Sequence, residues 1–164
     1  MREKSFNRLQ IADYCIISDS AIIEEGAVIG PYCEIGDGAH IKSGALLQGR
    51  NRIGPNCVVN DGVIMKNGSV LTNHTTLESN VFMGPNSIVL GDDLSRDGKR
   101  NTTIGNNTHV GAGSIVKAGV SVCENVTIGA LTFVNKNITK SGTYVGIPVK
   151  RKSIALWSND AFHK

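Results

Sequence analysis

The sequence predicts an all-β solenoid: a three-sided parallel coil of about seven turns with one loop thrown out of it. Two counts and one interruption lead there. An aliphatic residue returns every sixth position from Ile11 through Ile17, Ile23, Ile29, Ile35, Ile41, Leu47, Ile53, Val59, Met65, Leu71, Leu77 and Met83 to Val89. It returns again from Ile104 through Val110, Val116, Val122 and Ile128 to Val134. Four residues after each comes a second, mostly small residue, as at Cys15, Ala21, Ala27, Cys33, Ala39, Ala45 and Cys57, with Asn51 the clear exception. Between the two runs stands the charged stretch GDDLSRDGKRN, residues 91–101, which keeps no count.

A period of six fits neither the 3.6 of an α-helix nor the two of a plain strand. It fits a coil in which each hexad is a short strand plus a bend, with Gly, Asn or Asp turning the chain. Three hexads close a coil of eighteen residues, so positions eighteen apart become vertical neighbours at a strand spacing of ~4.8 Å. A narrow interior keeps the second inward residue small. Cys15, Cys33 and Cys57 fall on inward sites and read as packing, whereas Cys123 falls outside them. The count resumes at Ile104 about nine residues late, which predicts a loop projecting at residues 90–103. The whole chain, 1–164, reads as a single domain, with coils over 11–139 and a closing segment at 140–164. Its last residues, 153–164 with Ile154, Trp157 and Phe162, are expected to form a short C-terminal helix that caps the open end or docks on a neighbour.

Composition narrows the function. A net charge of +3 offers no broad basic stripe, so nucleic acid is not an expected partner. No segment approaches the ~20 apolar residues of a membrane helix, and MREKSFNRLQ lacks the apolar run of a signal peptide, so a cytoplasmic protein is expected. The four cysteines have no CxxC spacing, which argues against zinc or a redox pair.

The vertical columns supply candidate chemistry. Asn56, His74 and Asp92 are eighteen apart, as are Pro55, Asn73 and Gly91. A carboxylate one coil from an imidazole orients it and raises its basicity, so His74 with Asp92 is the expected general base pair. Asn73 and Asp93 stand beside them. Arg50, Arg52 and Lys66 lie on the earlier coils, where a diphosphate would need cations, and Asn56 completes the expected acceptor set. A flat-sided coil has no pocket, and a loop starting at Asp92 would supply a wall.

The hexads VIGPYC, EIGDGA and HIKSGA, and the ending GIPVKRK, resemble the left-handed parallel β-helix acyltransferases built on the hexapeptide repeat. The handedness comes only from that resemblance, since parallel crossovers are usually right-handed. The resemblance implies acetyl-CoA as co-substrate, no metal, and a homotrimer with active sites between subunits. It makes Gly111, Ala112, Gly129 and Ala130, two pairs eighteen apart, a smooth strip for the pantetheine arm. Ala118 and Gly119 leave room for the thioester. Lys136, Lys150 and Arg151, with Lys140 and Lys152, lie in a region free of acidic residues and suit the phosphates of CoA. The segment FMGPNSIVLGDD is similar to sugar-nucleotide amine N-acetyltransferases, although Gly91 stands where their pattern has asparagine.

The expected activity is therefore transfer of an acetyl group from acetyl-CoA to the amino group of a nucleotide-linked sugar, in surface-polysaccharide synthesis. The interruption lacks the histidine that O-acetyltransferases often carry there, and an amine needs less help than a hydroxyl. Sugar or polysaccharide O-acetylation is the first alternative. A metal-dependent protein like the carbonic anhydrases of this fold, or a scaffold without catalysis, ranks lower, because His40, His74 and His109 occupy unlike positions in their hexads.

Overall fold

The structure, a computed structural model, describes residues 9–91 and 101–152. Hexads form strands of two to four residues, from Gln10–Ile11 to Lys150–Arg151, and no helix occurs among the described residues. The strands stack into three sheets of nine, seven and six strands, parallel except at Lys150–Arg151, which make the faces of a prism. The first face begins with Gln10–Ile11, Val28–Ile29 and Leu46–Leu47, the second with Ile16–Ile17, Glu34–Ile35 and Arg52–Ile53, and the third with Ile22–Ile23, His40–Ile41 and Val58–Val59. Before the interruption each strand pairs with the one eighteen residues on, as Val28 with Leu46 and Val70 with Ile88.

The counted side chains fill the interior. From Ile29 to Val134 the aliphatic positions are buried, and the slots between them hold Ala27, Cys33, Ala39, Ala45, Cys57 and Val63 at no exposure. The first coil departs from the count, because no described residue stacks beneath it: Ile11 is 47% exposed. Three of the hydroxyls in small slots bond the bend before them, whereas Thr108 and Ser114 donate to the next coil at Cys123 O and Gly129 O. Ser69 Oγ donates to Lys66 O at 2.9 Å, Thr75 Oγ1 to Thr72 O at 2.9 Å and Ser87 Oγ to Gly84 O at 2.7 Å. Asn51, the exception in the count, is buried because its amide is fully used. Its Nδ2 donates to Lys66 O at 2.8 Å and Ser69 Oγ at 2.9 Å, and its Oδ1 accepts Gly49 N–H at 3.0 Å. A buried amide with such partners costs little, whereas an unpaired one would not be tolerated. All four cysteines are free thiols, and burial pushes the Cys33 thiol up.

Three columns of bends join the faces. Residues in the left-handed region repeat along each: Tyr14, Tyr32, Arg50, Gly68, Asn86, Gly113 and Leu131 on the first bend, and Gly38, Asn56, His74 and Gly119 on the second. The third has Gly26, Gly44, Gly62, Asn80, Asn107 and Asn125. Gly and Asn dominate because they take positive φ at least cost.

The interruption is narrower than 90–103. Leu90 N–H still donates to Val116 O at 3.0 Å, and Thr102–Ile104 is a strand paired with Thr75–Leu77. Across it the pairing offset becomes twenty-seven, as Phe82 pairs with His109, then returns to eighteen with His109 and Thr127. The register thus absorbs nine residues, 92–100, which lie outside the described residues. At the far end the chain continues beyond the last full hexads. Gly142–Val145 adds a parallel strand to the first face, and Lys150–Arg151 pairs antiparallel with it. The C-terminal helix expected at 153–164 lies outside the described residues.

Gly91 is the last regular residue before the offset, and a Cβ there would overlap the carbonyl oxygen of Asn73 and come within 2.7 Å of Thr75 Oγ1. Gly91→Ala is therefore expected to destabilise the chain by about 2 kcal/mol or more, read by chemical denaturation. A change within experimental error would contradict this packing of successive coils.

Candidate functional site

The candidate residues separate onto two edges of the second face. Along the second bend stand Asn56, Asn73, His74, Ala118, Gly119 and Lys136. Along the first bend stand Arg50, Lys66, Gly111, Ala112, Gly129 and Ala130. Lys150 and Arg151 lie on the antiparallel end strand of the first face. Asp92 and Asp93 fall outside the described residues.

His74 sits at φ 55°, a conformation in which His is less penalised than bulky side chains. Its N–H donates to Pro55 O at 3.0 Å, and its carbonyl accepts Thr102 N–H at 3.4 Å. The imidazole is half-buried. By the pairing of Thr75 with Thr102, the next described residue of its column is Asn101, followed by Gly119, whose N–H donates to Thr102 Oγ1 at 2.9 Å. Asn73 lies under Gly91, in the column counted from the sequence. Beside it a groove of about 290 Å³ opens on the second face between Glu34, Arg52, Pro55, Thr72 and Asn73.

On the first bend, Gly84, Gly111 and Gly129 form a column without side chains. Their absence has a structural cause: a Cβ on Gly111 would lie 2.5 Å from Ala130 N, and one on Gly84 would lie 2.6 Å from Ala112 N. The strip's amides are not equally available. Gly111 N–H donates to Ile128 O and Gly129 N–H to Tyr144 O, each at 2.8 Å. Ala112 and Ala130 are exposed, and their N–H groups donate to no other described residue. A donor aimed at a ligand must therefore come from the alanines rather than from Gly111. Arg50 and Lys66 share this bend but are turned to aromatic rings. The Arg50 guanidinium lies 5.9 Å from the centre of Tyr32, itself stacked on Tyr14, and Lys66 Nζ lies 5.7 Å from that of Phe82. Arg52, by contrast, lines the groove.

The described histidines stand apart: His40 on the third face, His74 on the second bend and His109 stacked on Phe82 on the first face. Among the described residues, no group of three or more His, Cys, Asp or Glu side chains is placed to hold a metal. The sequence reading missed two ionisable pairs, Glu34 with Arg52 and Glu24 with His40. Glu24 Oε1 lies 2.7 Å from His40 Nε2, while Oε2 accepts Ser43 N–H at 3.1 Å. The Ser43 amide first, and then His40, hold the Glu24 carboxyl below its ordinary range. Lys136, Lys140, Lys150, Arg151 and Lys152 are exposed, and residues 125–152 contain no acidic side chain. Arg151 also folds back, its Nε and an Nη donating to Ser141 O at 3.3 and 3.2 Å. No helix among the described residues is long and apolar enough to cross a membrane.

Comparison with known proteins matches residues 14–49 and 101–136 to the bacterial transferase hexapeptide (six repeats). A serine acetyltransferase from Synechococcus elongatus is 41% identical over 61 residues, covering 37% of this chain and 25% of the relative. The bifunctional protein GlmU of Gloeothece citriformis is 30% identical over 144 residues, 88% of this chain and 31% of its own length. The chain thus spans between a quarter and a third of these relatives. Among solved structures, PerB from Caulobacter crescentus in complex with CoA and GDP-perosamine superposes with a TM-score of 0.61 at 20% identity, covering 90% of this chain and 58% of that one. At that identity the likeness is one of fold.

Glu24 contributes a pH dependence with a fixed sign. A carboxyl held below its unfolded value adds stability at neutral pH that disappears as pH falls through the folded value. Glu24→Gln is expected to lower the melting temperature at pH 7, with the gap to the unmodified chain closing as pH falls below the ordinary carboxylate range. A gap that stays constant as pH falls would contradict the pairing.

Proposed function

We propose that this chain, which fits the hexapeptide-repeat acyltransferase superfamily, moves an acetyl group from acetyl-CoA to the amino group of a nucleotide-linked sugar. The observation that carries the reading is the pair of exposed N–H groups at Ala112 and Ala130, which donate to no described residue, beside the side-chain-free positions Gly111 and Gly129. A thin pantetheine arm fits such a strip, and an N–H there would polarise the thioester carbonyl as charge develops on its oxygen. Lys150 and Arg151, exposed on the end strand of the first face, suit the phosphates of CoA. The CoA and GDP-perosamine held by PerB support both the donor and an amino-sugar acceptor.

In this mechanism the acceptor amine loses its proton to His74 and attacks the thioester carbon. The C–S bond then breaks, and the thiolate of CoA takes a proton. Asp92 would orient the imidazole. His74 and the alanine strip lie on opposite edges of one face, so a site using both is best built from two copies, the second bend of one against the first bend of the next. A homotrimer closes three such contacts without leaving an edge bare. His74 also favours a second reading, O-acetylation, because a hydroxyl depends more heavily on a positioned base.

His74→Ala is expected to lower turnover by on the order of 10²-fold at saturating acetyl-CoA. Assay of an amino-sugar nucleotide against its hydroxyl analogue separates the two acceptors, with faster acetylation of the amine expected. An unchanged rate in His74→Ala removes the base, and preference for the hydroxyl compound replaces N- by O-transfer.

A further inference from the structure

Resting on the acetyl-transfer reading, we infer that the groove on the second face is the acceptor subsite, in which Arg52 takes the phosphate of a sugar phosphate and Glu34 its ring hydroxyls. The sequence reading placed Arg50, Arg52 and Lys66 together as cations for a diphosphate. The fold sorts them. Arg50 and Lys66 lie against Tyr32 and Phe82 on the first bend, and Arg52 alone of the three reaches the groove.

The groove has a built cause. Gly36 and Gly54, eighteen apart, lie where the chain leaves the second face, and a Cβ at either would meet the next coil at 2.9 Å from Pro55 N or 2.8 Å from Asn73 N. With no side chains there, the concavity of about 290 Å³ is floored by backbone and by Ile35, Ile53 and Leu71. That volume lies at the lower end of small-molecule pockets and suits one sugar ring better than a whole nucleotide. Its walls are mixed as sugar sites require: Ile16 and Pro55 are apolar, Thr72 and Asn73 carry hydrogen-bonding groups, and Glu34 and Arg52 carry opposite charges.

Glu34 and Arg52 are register partners on adjacent strands, with Oε2 and Nε 3.6 Å apart, and their side chains are 58% and 72% exposed. An exposed pair this long contributes little to stability, so it does not explain why two long charged side chains flank the groove. It does leave both free to turn onto a ligand. Guanidinium matches phosphate with paired N–H donors, and a carboxylate accepts hydrogen bonds from vicinal hydroxyls. The groove ends at Asn73, next to His74 in the chain, so a ring held there presents a substituent to the proposed base.

The test titrates glucosamine 1-phosphate and methyl glucosaminide, which lacks the phosphate, into the full chain by calorimetry. Four proteins are compared: unmodified, Arg52→Gln, Glu34→Gln and Arg50→Gln. The unmodified chain is expected to bind the phosphate ester about 10-fold tighter than the methyl glycoside. Arg52→Gln should erase that preference, Arg50→Gln should keep it, and Glu34→Gln should weaken both sugars. Equal effects of Arg52→Gln and Arg50→Gln, or no preference for the phosphate in the unmodified chain, overturn the assignment. CoA is titrated into the same proteins. Binding unchanged in Arg52→Gln supports a separate acceptor groove, and its loss there overturns it. If the unmodified chain binds no CoA, the acetyl-transfer reading fails, and the sugar titrations still decide the groove.

Discussion

The described coils depend on backbone hydrogen bonds between one coil and the next, repeated at a register of eighteen residues outside the interruption and the last strands. Strands of two residues cannot hold themselves, and here each strand inside a sheet is held by the coil before and the coil after it. Parallel stacking at one register forces like positions into columns. The interior therefore becomes three columns of large side chains set between three columns of mostly small ones, and a single misplaced polar group would sit among apolar neighbours. Asn51 survives in that interior only because the Lys66 carbonyl, the Ser69 hydroxyl and the Gly49 amide are all within its reach.

The same constraint decides where chemistry is possible. Faces are flat and bends are tight, so a ligand meets the coil at edges where side chains are missing. Two such edges bear on the site: Gly36 and Gly54 on the second bend, and Gly84 and Gly111 on the first. In both, glycine is required because the next coil comes too close for a Cβ. What the missing side chain leaves behind is what a ligand uses: a groove beside Asn73 in one case, and exposed N–H groups at Ala112 and Ala130 in the other.

The fold was legible because its signal is a count that runs through nearly the whole chain, and hydrophobic burial enforces that count residue by residue. Vertical neighbours followed directly, as with Asn73 under Gly91. Relations across a bend did not. Glu24 and His40 are sixteen apart and meet diagonally, which an eighteen-residue count cannot reveal. Arg50 and Arg52 looked equivalent in sequence, yet one falls on a bend and the other on a face, so they serve different edges. The loop was drawn too wide because Leu90 and Thr102 are unremarkable as sequence, and only their pairing shows that they belong to the coil.

The central claim is that residues 92–100 are an insertion into an otherwise unbroken spool, with Gly91 and Asn101 succeeding one another in the stack. Deleting those nine residues and joining Gly91 to Asn101 tests it most directly, with amide hydrogen exchange followed through Thr102, Thr103 and Ile104. The account predicts that the shortened chain keeps one cooperative transition and full protection of these three amides. Loss of protection there, or unfolding of the later coils apart from the earlier ones, would contradict it.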